Sequence, residues 1–251
     1  VRPAEVFVNG RYHGLFELCT RIDDILLNES MGDEAGDGDE PRWVVYRFEK
    51  VRPRDPIMRA IRPPPHRGLW EEPFVDLRRW LRRLPDVEAD WPRQLARRVD
   101  VPGMIDMQLL LNLTQNLNGQ PFHFPLHEAL VYDRSRDFFT QVPWDFDILY
   151  MPVFTWIQND TMRLCEHSWP DYRTALRQRW KRLRQDTLSF GALEKRIDSL
   201  AAPIEGYVEW DFQRWHYGGE DHGAMIDALK NAVSNHIMRM DAHLASDTEK
   251  M

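Results

Sequence analysis

Cysteine is nearly absent, with Cys19 and Cys165 the only two in 251 residues. Two thiols so far apart are no disulfide framework and cannot build a zinc site alone. No stretch approaches 18 consecutive apolar residues, which excludes a membrane-spanning helix. A Gly-rich phosphate loop is missing, and so are a Gly-x-Ser-x-Gly elbow and a Cys–His pair with a recognisable local signature. Lysine is scarce: Lys50 alone lies near the first strands, and Arg47 is the basic residue that sits inside one. Positive charge is not in excess either. The net charge of −7 argues against a nucleic-acid binder.

What is present supports a real core. Ten tryptophans and an apolar fraction of 43% are ample for one large domain or two small lobes. Charge is unevenly spread, with acid gathered over residues 33–40 and arginine over residues 52–98. The chain opens on Val1 with no charged-then-apolar leader, so we expect it to begin inside a larger protein.

Residues 5–9 and 12–18 read as two short strands. Asn9-Gly10 between them is a hairpin turn signal, because both residues tolerate positive φ. A short helix is expected over 22–27, a loop over the acidic stretch 29–40, and a strand over 42–49. Residues 33–44 do not make a calcium loop, since Ala35 and Val44 stand where ligands should be. Five prolines among arginines over 52–67 predict a connector without regular structure. Short amphipathic helices are expected over 74–84 and 91–99, their arginines forming a solvated face or an anion-steering surface. A buried apolar helix follows over 104–117. Residues 129–132 and 138–142 read as a hairpin turning at 133–137. Three-to-four apolar spacing then predicts helices over 172–183, 191–215 (broken near Pro203) and 224–244.

Asp145 and Asp147 come just after the second strand of that hairpin. Two carboxylates two residues apart can converge on one hard cation, and oxygen ligands of this kind suit Mg²⁺ or Mn²⁺ bound with substrate phosphates. A hairpin followed by Asp-Phe is also the order that leads to the metal-holding Asp of protein kinases. A metal-dependent hydrolase would use such carboxylates in a similar way. His123-x-x-x-His127-Glu128 does not make a zinc helix, because Pro121 and Pro125 interrupt it and the Glu is not between the histidines.

The order of segments resembles the spore coat protein H (CotH) kinase-like family. Val6-Phe7-Val8-Asn9-Gly10-Arg11-Tyr12-His13-Gly14-Leu15-Phe16 is similar to its "NG-x-x-x-GLY" hairpin. Residues 100–119 resemble its Asp-led buried helix, and 142–147 its "PWD-x-D" element. Trp210-Asp211, Arg214-Trp215 and Leu229-Lys230 follow the family's helical tail. The resemblance implies an α+β, atypical protein-kinase-like fold. Its β-rich part would occupy 1–50, a Pro/Arg connector 51–70 and a mostly helical lobe 71–251. It also implies Mg²⁺ (or Mn²⁺) and ATP as cofactors, a Ser-rich coat or surface protein as substrate, and a location in the spore coat, at the cell surface or outside the cell.

Carried over one at a time, the family's metal pair falls on Asp145 and Asp147. Its carboxylate after the buried helix falls on Asn118, an amide that can position a hydroxyl but cannot accept a proton. Its early Glu falls on Thr20 and its strand lysine on Arg47. Glu128 could supply the missing carboxylate. Two readings stay open: an active divergent phosphotransferase, and a pseudokinase that serves as a structural or interaction module.

Overall fold

The computed structural model describes residues 2–18, 27, 42–49, 57–62, 72–84, 90–115, 128–143, 154–215 and 221–246. Within them the architecture is α+β, with two small antiparallel sheets and a mostly helical remainder.

Strands β1 (Arg2–Val8) and β2 (Arg11–Leu18) form a two-stranded sheet of their own. Asn9 and Gly10 join them at φ 52° and 75°, the positive values that a type I′ hairpin turn requires. A β-bulge interrupts the ladder between the Val6–Gly14 and Phe7–Tyr12 pairs.

The second sheet has the order β4-β3-β5-β6, antiparallel throughout: β3 is Trp43–Glu49, β4 Ile57–Arg62, β5 Glu128–Asp133 and β6 Phe138–Pro143. The β5–β6 hairpin forms over the residues expected of it, 129–132 and 138–142. Strand β4 corrects the expectation of an irregular connector over 52–67. The prolines of that stretch stand at 53, 56, 63, 64 and 65, so Ile57–Arg62 is a proline-free window. Its N–H groups remain free to join the ladder with β3.

Helices α1 (Glu72–Leu81), α2 (Trp91–Arg98) and α3 (Val101–Thr114) lie between the strands in sequence. Asp100 starts α3 by accepting a hydrogen bond from the Gly103 N–H at 3.1 Å. After β6 come α4 (Asp160–Ser168), α5 (Pro170–Gln185), α6 (Phe190–Ala201), a 3₁₀ turn (Ala202–Ile204), α7 (Glu205–Trp215) and α8 (His222–Ser246). The break expected near Pro203 is that 3₁₀ turn. Helix α4 was not anticipated, although Asn159 is its N-cap and accepts from the Met162 N–H at 2.8 Å. An Asn followed by an Asp is a start signal that its short apolar pattern had hidden.

Strand alternation divides the core. Val44, Tyr46, Leu130, Tyr132 and Phe139 face the helices, packing with Phe74, Leu77, Leu95, Met104 and other buried apolar residues. Trp43, Val45, Ala129 and Val131 make a smaller cluster with Leu27 on the other face. Among the described residues, no helix is long and apolar enough to cross a membrane.

The hairpin β1–β2 docks on α7. The Leu15 N–H donates to Asp211 Oδ1 at 2.8 Å, and Tyr12 and His13 meet Trp210 and Trp215 edge-on. Gly14, at φ 147°, allows this approach: a Cβ there would lie 2.7 Å from Trp215 Nε1.

Candidate functional site

Backbone register places two of the expected site residues on neighbouring strands. Arg47 of β3 stands opposite Arg59 of β4 and Ala129 of β5. Glu128 opens β5 one residue before Ala129, and its partner on β6 is Pro143. Arg47 and Glu128 therefore occupy successive rows near the end of the sheet where β6 finishes, and successive rows alternate between the two faces. Asp145 and Asp147 follow Pro143 by two and four residues in sequence. Asp145 and Asp147 themselves, with Thr20, Asn118, His123 and His127, lie outside the described residues. Among the described residues no group of three or more His, Cys, Asp or Glu side chains could hold a metal ion.

Gln141 lies on β6 two residues before Pro143 and is 5% exposed. Among the described residues neither Oε1 nor Nε2 of its amide has a hydrogen-bond partner, and a buried amide left unpaired is costly.

On the other side of this region, α3 ends in a pair of buried amides that fix an extended segment, residues 154–159. Asn112 Nδ2 donates to the Ile157 carbonyl at 2.7 Å, and its Oδ1 accepts from the Ile157 N–H at 2.6 Å. Gln115 repeats the pattern one pleat earlier. Its Nε2 donates to the Thr155 carbonyl at 3.1 Å and its Oε1 accepts from the Thr155 N–H at 2.8 Å. Each side chain thus satisfies both backbone groups of one residue, as a neighbouring strand would. Gln115 adopts the left-handed conformation (φ 52°) that ends α3. The clamp joins the helix end that leads to Asn118 with the segment reached from Asp147.

A second set of polar contacts braces the clamp. Glu166 Oε2 accepts from Gln108 Nε2 at 2.7 Å and from Trp156 Nε1 and Gln158 Nε2 at 3.1 Å each. Gln108 Oε1 accepts from the Tyr172 hydroxyl at 2.7 Å. Burial raises the Tyr172 hydroxyl well above its usual pKa, aided by Cys165 and Glu166, so it stays a donor. His236 of α8 reaches the Leu113 carbonyl at 3.1 Å through Nδ1. Sequence reasoning passed over these residues. The available signal was Gln108 and Asn112 inside, and Gln115 just past, a largely apolar helix, since buried amides are retained where they are satisfied.

Cys165 is buried, and burial lifts its thiol to about 12, which makes it an inert core residue rather than a nucleophile. Comparison with curated proteins gives no match. A family model described as CotH kinase protein matches residues 1–240. That match takes in both sheets, the amide clamp and the helical lobe into α8, and the chain belongs to the CotH kinase protein family.

Proposed function

We propose that the chain is a CotH-type phosphotransferase that moves the γ-phosphoryl group of Mg·ATP to a serine of a coat or surface protein. What supports this reading is the family match over residues 1–240, with Glu128 at the end of the sheet from which β6 runs on in sequence to Asp145 and Asp147. Asp145 and Asp147 would hold the cation. When bound, Mg²⁺ would neutralise the charge that develops on the phosphates. Arg47 is the cation for the phosphates in place of a lysine, its guanidinium offering a planar fork of donors. Thr20 stands where a kinase would orient that cation with a carboxylate, so Arg47 must be held differently.

In the transfer the acceptor serine oxygen forms a bond to γ-phosphorus as the bond to the bridging oxygen of ADP breaks. The serine proton needs an acceptor. Asn118 can align the hydroxyl but cannot take the proton, which leaves Glu128 for that role. Loss of a general base costs a factor of about 10²–10⁴, less than loss of positioning in a reaction governed by electrostatics.

The amide at Asn118, with Thr20 and Arg47, supports a second reading: a pseudokinase that keeps the frame as an interaction module. Thermal unfolding with Mg·ATP separates the two in part, since a ligand bound to the folded state raises apparent stability. We expect an upward shift that vanishes in Asp145→Ala. No shift in a protein that includes any preceding strands would reject the phosphotransferase. A shift without labelled phosphate transfer to a Ser-rich acceptor would leave a nucleotide-binding pseudokinase.

A further inference from the structure

Away from the sheet end, a cavity of about 550 Å³ opens where the end of α1 meets one face of α4. Its size falls within the range of ligand pockets, roughly 300–1,000 Å³. Asp160, Arg163, Leu164 and His167 are spaced i, i+3, i+4, i+7, so one helix face carries all four toward Leu81 and Arg82. The floor is buried and fixed, with Leu81 2% and Thr161 4% exposed. The rim presents two guanidiniums and an imidazole against a single carboxylate.

That carboxylate, Asp160 Oδ1, is paired with Arg163 Nη2. The pair is solvent-exposed, and an exposed pair three residues apart is weak, so Arg163 is readily given up to a stronger acceptor. Arg82 has no acidic partner among the described residues. Two guanidiniums lining one cavity beside a helix first turn suit the tetrahedral oxygens of a phosphate monoester, and the apolar floor leaves room for the chain that bears it.

We propose that this cavity is a docking site for phosphoserine in a serine-rich protein segment. The site stands on its own geometry; the identity of that segment as the acceptor rests on the phosphotransferase reading. A chain that both phosphorylates serine and holds phosphoserine would work along a serine-rich acceptor faster as earlier sites fill.

The test is fluorescence anisotropy with the whole chain, no nucleotide present, and a labelled serine-rich peptide with or without one phosphoserine. Omitting nucleotide keeps this result independent of whether transfer occurs. The phosphorylated peptide should bind about tenfold or more tightly than its unphosphorylated twin, and more weakly as salt rises. Arg82→Glu and Arg163→Gln should each remove most of that preference while leaving the melting temperature unchanged, since both side chains are exposed. Equal binding of the two peptides, or a preference that survives both variants, overturns the proposal. Inorganic phosphate displacing the peptide at the peptide's own affinity also overturns it, because the cavity would then read the anion alone.

Discussion

At the scale of single residues, the unpaired amide of Gln141 predicts a trade between stability and binding. Gln141→Leu should raise the stability of the ligand-free protein by about 1–2 kcal/mol, because an unsatisfied buried amide is replaced by an apolar group of similar size. The same change should shrink the stabilisation by Mg·ATP, both effects being read by thermal unfolding. The turn of the β5–β6 hairpin predicts a pH dependence. Burial works against ionisation of Asp133, but hydrogen bonds from the Arg42 guanidinium and from the Ser135 hydroxyl and N–H outweigh it and hold its pKa below the ordinary 3.8. Stability from this carboxylate is therefore complete above that value and is lost as pH falls through the lower folded one. Asp133→Asn should cost about 1.5–3 kcal/mol near neutral pH, since it removes the charged acceptor of the Arg42 hydrogen bonds, and should flatten the acid limb of a denaturation series. The alkaline limb has the opposite sense. Burial raises Tyr132 to about 12, with help from its hydrogen bond to Asp137, and burial raises Cys165 to about 12. Unfolded thiol and phenol ionise earlier, so stability falls progressively from about pH 9 upward.

At the scale of elements, the amide clamp makes α3 and the segment 154–159 one unit. Asn112→Ala leaves the Ile157 N–H and carbonyl without partners in the interior, at about 1–3 kcal/mol for each group. Urea denaturation should show that loss, and hydrogen exchange at the Ile157 and Thr155 amides should accelerate more than elsewhere. Hairpin docking gives the other element-level prediction. Gly14→Ala combines a left-handed backbone conformation with a Cβ pressed onto Trp215, and should cost about 1–3 kcal/mol. Tryptophan emission and exchange protection over β1 and β2 should report it before global unfolding. Much of this was legible in the sequence. Asn9-Gly10, the two strand runs 129–132 and 138–142 with their turn, and the three-to-four spacing of the tail each produced their element. Strand β4 was not, because proline density over 52–67 outweighed a six-residue window that holds none. The clamp escaped because a side chain that completes another segment's backbone bonds leaves no periodic trace.

At the scale of the whole molecule, the family frame was legible because its quoted pieces are partners of one another. Gly14 of the first hairpin abuts Trp215, Asp211 holds the Leu15 N–H, and Lys230 pairs with Asp198 at 2.6 Å. Of the candidate site, register sets Arg47 and Glu128 on neighbouring strands one row apart, and Thr20, Asn118, Asp145 and Asp147 lie outside the described residues. Mg·ATP at a hundredfold excess over its Kd should stabilise the entire chain by about 2.7 kcal/mol, so calorimetry should show one transition moving rather than a local one. The hairpin on α7 has a further consequence for how the chain is made. Its anchoring bond joins Leu15 to Asp211 across 196 positions. A lone two-stranded hairpin is only marginally stable in water, so β1 and β2 cannot settle until α7 has followed them out of the ribosome. At typical synthesis rates that interval is on the order of ten to forty seconds, during which Tyr12 and His13 lack Trp210 and Trp215 and the hairpin is open to chaperones.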